Sequence, residues 1–292
     1  MSESVHIVEV GPRDGLQNEA IAVPVETRTA FIEKLIAAGL TSIEAGSFVS
    51  PKWVPQMADT ASVLKAFAGR SGLSLPVLVP NLQGLDAALT AGAREIAIFA
   101  AASDSFSQKN INCSIVESFE RFAPVTEKAL SRGLRVRGYV SCVLGCPYEG
   151  RVPVGQVAEV SARLFELGCS EISLGDTIGA GTPRAARAML KAVAERVPLR
   201  CLAVHFHDTY GQAVANIYAC LEEGVRVIDS SAGGLGGCPY AKGASGNVAT
   251  EDVIYLCDGL GFETGVDRRA VIEASRFIAQ ALGRPERALR PL

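Results

Sequence analysis
Short apolar runs alternate along this chain with longer stretches in which apolar residues recur at helical spacing. The runs predict strands at Ile7–Val10, Ser42–Ala45, Pro76–Val79, Glu95–Phe99, Arg135–Val140, Glu171–Leu174, Ala203–His207 and Val227–Ser230, eight in all. The stretches between them predict amphipathic helices with readable ends. Pro24 precedes one ending at Gly39, Pro153 opens one ending at Gly168, and Thr182-Pro183 supplies an N-cap and a first-turn proline. Segments reading AAGL, TAGA, SRGL, ELGC and EEGV repeat one logic: a helix, a glycine that turns left-handed, then the next strand. Strict β–α alternation implies a parallel sheet, and over this length a closed (β/α)8 barrel fits best. A doubly wound open sheet is the alternative. No linker rich in proline and glycine divides the chain, so residues 1–292 are expected to form one catalytic barrel domain. Helical segments continue beyond the eighth strand. Before them lies Gly233–Asn247, rich in Gly, Ala and Ser, which is expected to act as a mobile catalytic loop.

Composition narrows the picture. The chain has 292 residues, 48% hydrophobic and 20% charged, which describes a soluble globular protein with ample core. A net charge of −3 and the absence of a Lys/Arg cluster argue against nucleic acid as a partner. No apolar stretch reaches the roughly 20 residues needed to span a bilayer, and the start, MSESVHIVEV, does not read as a signal peptide. Eight cysteines without a secretion signal are expected to be free thiols in a reducing cytoplasm. Cys142 and Cys146 lack C-x-x-C spacing, and Cys169, Cys201, Cys220 and Cys257 read as packing residues.

Two of the three histidines sit one residue apart in LAVHFHDTYGQ. On a strand, alternate side chains share a face, so His205 and His207 point together and Phe206 points away. Two imidazoles at a strand end suit a divalent metal, or else form a hydrogen-bonded core pair. In barrels of this kind, chemistry sits at the C-terminal strand ends. There the chain carries Arg13, Asp14 and Gln17 after strand one, Glu44 and Ser47 at strand two, Asn81 at strand three and Ser141 at strand five. Asp176 and Thr177 follow strand six, His205 and His207 lie on strand seven, and Ser230 ends strand eight. Asp176 and Asp208 can equally cap the helices that follow. One Asp, two His and an amide oxygen make a mixed ligand set suited to Mg²⁺ or Mn²⁺, with Zn²⁺ also compatible.

The segments GPRDGLQNE (11–19), SIEAGSFVSPKWVPQMAD (42–59), VLVPNLQG (77–84), NINCSIVESFERF (110–122), GDTIGAGTP (175–183), HFHDTYGQA (205–213) and GGLGGCPYAKGASGNVATED (233–252) resemble the 3-hydroxy-3-methylglutaryl-CoA lyase family over essentially the whole chain. The Arg-Asp pair and H-x-H are shared with a wider group of metal-dependent barrels that make or break carbon–carbon bonds beside a carbonyl. The cysteine loop separates the lyases from the rest. The resemblance implies cleavage of hydroxymethylglutaryl-CoA to acetyl-CoA and acetoacetate, an acyl-CoA thioester partner, a Mg²⁺ or Mn²⁺ cofactor and a homodimer. It maps the metal ligands to Asp14, His205, His207 and Asn247, and the substrate contacts to Arg13, Gln17, Glu44, Ser47 and Asn110. Arg13 is expected to donate to the thioester oxygen, with a salt bridge to Glu44 as its other role, and Cys238 to handle the proton of the enolate. The general base is open between His205, Asp176 and a metal-bound water. The alternatives are a condensing acyltransferase of the same barrel group, a lyase for a longer-branched analogue, and a non-catalytic metal-binding barrel whose Cys238 is unreactive.

Overall fold
The structure is a computed structural model that describes residues 3–237 and 246–284. Its strands are β1 (His6–Glu9), β2 (Ser42–Ile43), β3 (Gly46–Ser47), β4 (Val77–Leu78), β5 (Glu95–Ala101), β6 (Arg135–Ser141), β7 (Glu171–Asp176), β8 (Leu202–Phe206) and β9 (Val227–Ser230). All pair in parallel, in the order β2-β1-β9-β8-β7-β6-β5-β4-β3. The expected second strand is thus present as two short pieces. The reason is that its residues pair alternately to either side. Glu44 N–H donates to Glu9 O of β1 at 2.9 Å, while Ile43 and Ala45 N–H donate to Ser74 O and Pro76 O, each at 3.0 Å. One segment therefore bonds to both ends of the sheet, and the sheet closes into the (β/α)8 barrel.

Helices α1 (Val25–Ala37), α2 (Thr60–Ala66), α3 (Leu82–Thr90), α4 (Asp104–Ile111), α5 (Ile115–Ser131), α6 (Val154–Glu166), α7 (Pro183–Ala194), α8 (Ala213–Glu222) and α9 (Thr250–Leu260) connect or follow the strands, and α10 (Arg268–Ala281) adds a helix beyond the eightfold pattern. They coat the outside of the barrel. Phe31, Ile32 and Leu35 on α1 have no exposed surface; burying each contributes about 1.5–3 kcal/mol. The expected left-handed turns occur, with Gly39 at φ 99° and Gly92, Gly133, Gly168 and Gly224 also positive. At Gly39 a Cβ would lie 2.4 Å from Gly265 O, so crowding adds to the need for glycine. Thr182 stands at the N-cap of α7 as expected, but its side chain makes no capping bond there.

The inside of the barrel departs from the usual layers of branched aliphatics. Arg137 on β6 and Asp229 on β9 form a buried, two-bond ion pair there, with Nη1–Oδ2 2.9 Å and Nη2–Oδ1 2.6 Å. This polar plug lies beneath the residues of the strand ends. No helix among the described residues is long and apolar enough to cross a membrane.

Candidate active site
β1 runs into Gly11–Gly15, a single wide helical turn that begins with Pro12 in its first positions. The turn carries Arg13 and Asp14 over the barrel mouth. Arg13 Nε lies 2.7 Å from Glu44 Oε2, and Arg13 Nη1 donates to Asp14 Oδ1 at 2.9 Å. The guanidinium also lies over the ring of Tyr139, 5.6 Å from its centroid. Burial alone would lower the affinity of Arg13 for its proton, but Glu44 and Asp14 outweigh it and hold the residue charged.

His205 closes the strand face and His207 is the first residue after β8, so the observed strand lies one residue earlier than the predicted Ala203–His207. His207 instead bridges to Asn247 in antiparallel fashion. The two rings still share a side, with centroids 5.5 Å apart. Asp14, His205 and His207 bring one ligand atom each to within 4.8 Å of one another. Asn247 joins them from the far end of the Gly-rich segment. Its Nδ2 donates to Asp14 Oδ2 at 2.8 Å and to Leu235 O at 3.0 Å.

Charge at this cluster favours a cation. Burial raises the Asp14 carboxyl, yet Arg13, His205 and His207 more than offset it and hold it at about 2. Burial and neighbouring His205 push His207 down to about 4, so it is neutral at neutral pH with a lone pair to give. Its Nδ1 is buried near the Thr177 backbone without a hydrogen bond of normal geometry. An ionised carboxylate, a neutral imidazole and a second imidazole fit a divalent metal by donor type and spacing.

A cavity of about 790 Å³ opens over the cluster, lined by Arg13, Asp14, Gln17, Asn110, His205 and His207 among others. Gln17 Oε1 is buried there without a hydrogen-bond partner. Glu44 reaches the site through Arg13. Two sequence-predicted residues face elsewhere. Ser47 is buried, with its hydroxyl accepting from Val49 N–H at 3.1 Å, and it shapes the loop after β3. Asp176 points away from the cavity that its neighbours Gly175 and Thr177 line. Its oxygens accept from Ala180 and Gly181 N–H at 3.2 and 2.8 Å, which makes it the clamp of the loop before α7. Burial pushes its carboxyl up to about 6 against these bonds. Asp208 accepts from Ala213 N–H at 3.0 Å and caps α8. Cys238 lies outside the described residues. The described cysteines are all free, and Cys113, between α4 and α5, is buried.

Four residues were missed by the sequence reading: Arg137, Tyr139, Ser173 and Asp229. Tyr139 lines the cavity and packs edge-on against His205, with centroids 5.9 Å apart. Asp229 Oδ2 lies 3.2 Å from His205 Nδ1 and accepts from Ser173 Oγ at 2.8 Å. Charged residues in the middle of buried strands, in RVRGY and VIDSS, were the available signal.

A family model described as HMGL-like matches residues 4–278. The mitochondrial hydroxymethylglutaryl-CoA lyase of Bos taurus is 59% identical over 282 residues, covering 97% of this chain and 87% of that protein. A 3-hydroxy-3-isohexenylglutaryl-CoA/hydroxymethylglutaryl-CoA lyase of Pseudomonas aeruginosa is 58% identical over 284 residues, covering 97% and 95%. The crystal structure of a hydroxymethylglutaryl-CoA lyase from Pseudomonas aeruginosa superposes with a TM-score of 0.96 at 57% identity, covering 99% of this chain and 96% of that one.

Proposed function
Because this chain belongs to the HMGL-like family, and within it to the hydroxymethylglutaryl-CoA lyases, we propose that its active site is the Arg13–Asp14–His205–His207 cluster described above. The enzyme cleaves 3-hydroxy-3-methylglutaryl-CoA to acetyl-CoA and acetoacetate. The observation that carries the site assignment is the convergence of Asp14, His205 and His207 beside Arg13 at the floor of one cavity.

Asp14, His205 and His207 would hold a divalent metal, Mg²⁺ or Mn²⁺, with Asn247 completing the set through its amide oxygen. When bound, the metal supplies Lewis acidity that acidifies the tertiary hydroxyl of the substrate. Arg13 has a different task. Bond cleavage leaves an enolate on the acetyl-CoA fragment, and a guanidinium held in place beforehand stabilises that negative charge without reorganising. Glu44 and Tyr139 fix the guanidinium, one by charge and one by its ring face. Gln17 and Asn110 on the cavity wall offer amides to the polar groups of the acyl chain. Of the two side chains considered as general base, only His205 lines the cavity. Cys238 follows Gly237, which lines the cavity, and is assigned to proton delivery to the enolate. A cytoplasmic homodimer belongs to this reading. The free thiols among the described cysteines fit a reducing compartment, and the family resemblance supports the dimer.

One observation favours a second reading of the substituent at C3. Part of the cavity wall is apolar, built from Val49, Leu78 and Phe99, and so can receive a branch longer than methyl. Rates of acetyl-CoA release from hydroxymethylglutaryl-CoA and from a longer-branched analogue, measured side by side, test both readings.

A further inference from the structure
The polar plug inside the barrel has a direction. Asp229 is fully buried and takes four bonds: two from Arg137, one from Ser173 and one shared with His205 Nδ1. Arg137 is itself braced by Glu171, with Nε–Oε1 2.6 Å. A carboxylate paired with a guanidinium carries no hydrogen and can only accept. Its contact with His205 therefore requires the proton to sit on Nδ1. In the neutral ring the opposite nitrogen, Nε2, then carries the lone pair, and it is Nε2 that faces Asp14 Oδ2, at 3.9 Å. We propose that Asp229, oriented by Arg137 and Ser173, is a positioning residue that fixes the tautomer and the tilt of His205, so that Nε2 is presented to the metal cluster.

The ring has few other guides. Tyr139 packs its edge against one side, and no other side chain among the described residues bonds Nδ1. An imidazole with the tautomer reversed would aim an N–H at the metal and could not ligate it. Arg137 lies 92 positions before Asp229 in sequence and reaches it across the barrel, so the strand geometry of the closed barrel is written directly into the state of one ligand.

The inference rests on His205 being a metal ligand, and the test separates the two claims. The chain has three histidines, so ¹⁵N-histidine NMR of the metal-free full-length protein resolves each ring. Spectra taken across a pH series should show Nδ1 of wild-type His205 protonated throughout, and Nε2 becoming pyridine-type once the ring is neutral. Asp229→Asn should mix or reverse the two, and Mn²⁺ affinity, read by EPR, should fall by about 10–100-fold. Should Asp229→Asn fail to fold because Arg137 is left uncompensated, the double variant Arg137→Met/Asp229→Asn removes both charges and takes its place. An unprotonated Nδ1 in the wild type overturns the proposal. So does a folded Asp229 variant whose His205 spectrum and Mn²⁺ affinity are unchanged. Wild-type protein that binds no Mn²⁺ overturns the ligand assignment instead, while the spectrum still decides the tautomer.

Discussion

Arg13 Nε and Glu44 Oε2 stand 2.7 Å apart, both buried, at the junction of the first two staves of the barrel. Glu44 is held by the strand and Arg13 by the turn after β1, so the pair locks a mobile side chain to a rigid one. Burial raises the Glu44 carboxyl, and Arg13 offsets that rise only in part. The guanidinium of Arg13 is thus held in place by Glu44.

Replacing Arg13 by methionine removes the donor proposed for the developing enolate. The expected result is a kcat lower by about 10²–10³ or more with a smaller change in KM. Steady-state kinetics of the folded variant decides it; a change in KM alone would make Arg13 a binding residue. Glu44→Gln keeps Arg13 but loosens it, and should cost about 10–100-fold in kcat.

Chelating divalent ions should abolish turnover, and Mg²⁺ or Mn²⁺ should restore it. Asp14→Ala and His207→Ala should weaken Mn²⁺ binding, measured by calorimetry, beyond the roughly 10–100-fold typical of losing a supporting partner. Full activity in excess chelator would contradict the assignment.

The strands were legible as short apolar runs, and the pairing of two histidines on one face was legible from the period of two along a strand. His205 and His207 share a face by that rule, and the same parity turns Asp176 away, since Gly175 and Thr177 on either side of it line the cavity. Applied to strand six, the rule would have removed Asp176 from the candidates. Ser47 misled for another reason: a residue at a strand end can bond its own loop, as it does through Val49 N–H. The Arg137–Asp229 pair was out of reach because the two residues meet only once the barrel closes. Sequence spacing carries no trace of that.

Glu9 offers a test through pH. Its buried carboxylate ties Gly11 N–H and Ala232 N–H, each at 2.9 Å, to the Thr250 hydroxyl at 2.7 Å, and so joins the turn bearing Arg13 to both ends of the Gly-rich segment. Burial raises its pKa from 4.5 to about 7, against the bonds from Thr250, Ala232 and Gly11. Between those values the folded state binds more protons than the unfolded one, so this group's contribution to stability is full below pH 4.5 and is lost as pH rises through about 7. The loss is at most about 3 kcal/mol. Denaturant titrations should show a flatter pH dependence across this window for Glu9→Gln than for wild type. Equal slopes would remove Glu9 as the source.

Alkylating reagents should inactivate the enzyme by modifying Cys238, and substrate should protect it. Among the described cysteines only Cys201 is partly exposed, and the rest are buried. Mass spectrometry should therefore find Cys238 first and Cys201 next. Cys238→Ser should retain Mn²⁺ binding and lose turnover, because a hydroxyl transfers its proton far less readily than a thiol of pKa about 8.5. Normal turnover by that variant would assign the proton to another group.

The decisive measurement is to incubate the purified protein and Mg²⁺ or Mn²⁺ with 3-hydroxy-3-methylglutaryl-CoA while following both products at once. Acetyl-CoA and acetoacetate should form in equal amounts, dependent on the metal and far more slowly with Arg13→Met. Failure to cleave this thioester in the presence of metal, alongside condensation of acetyl-CoA with a 2-oxo acid, would contradict the lyase assignment.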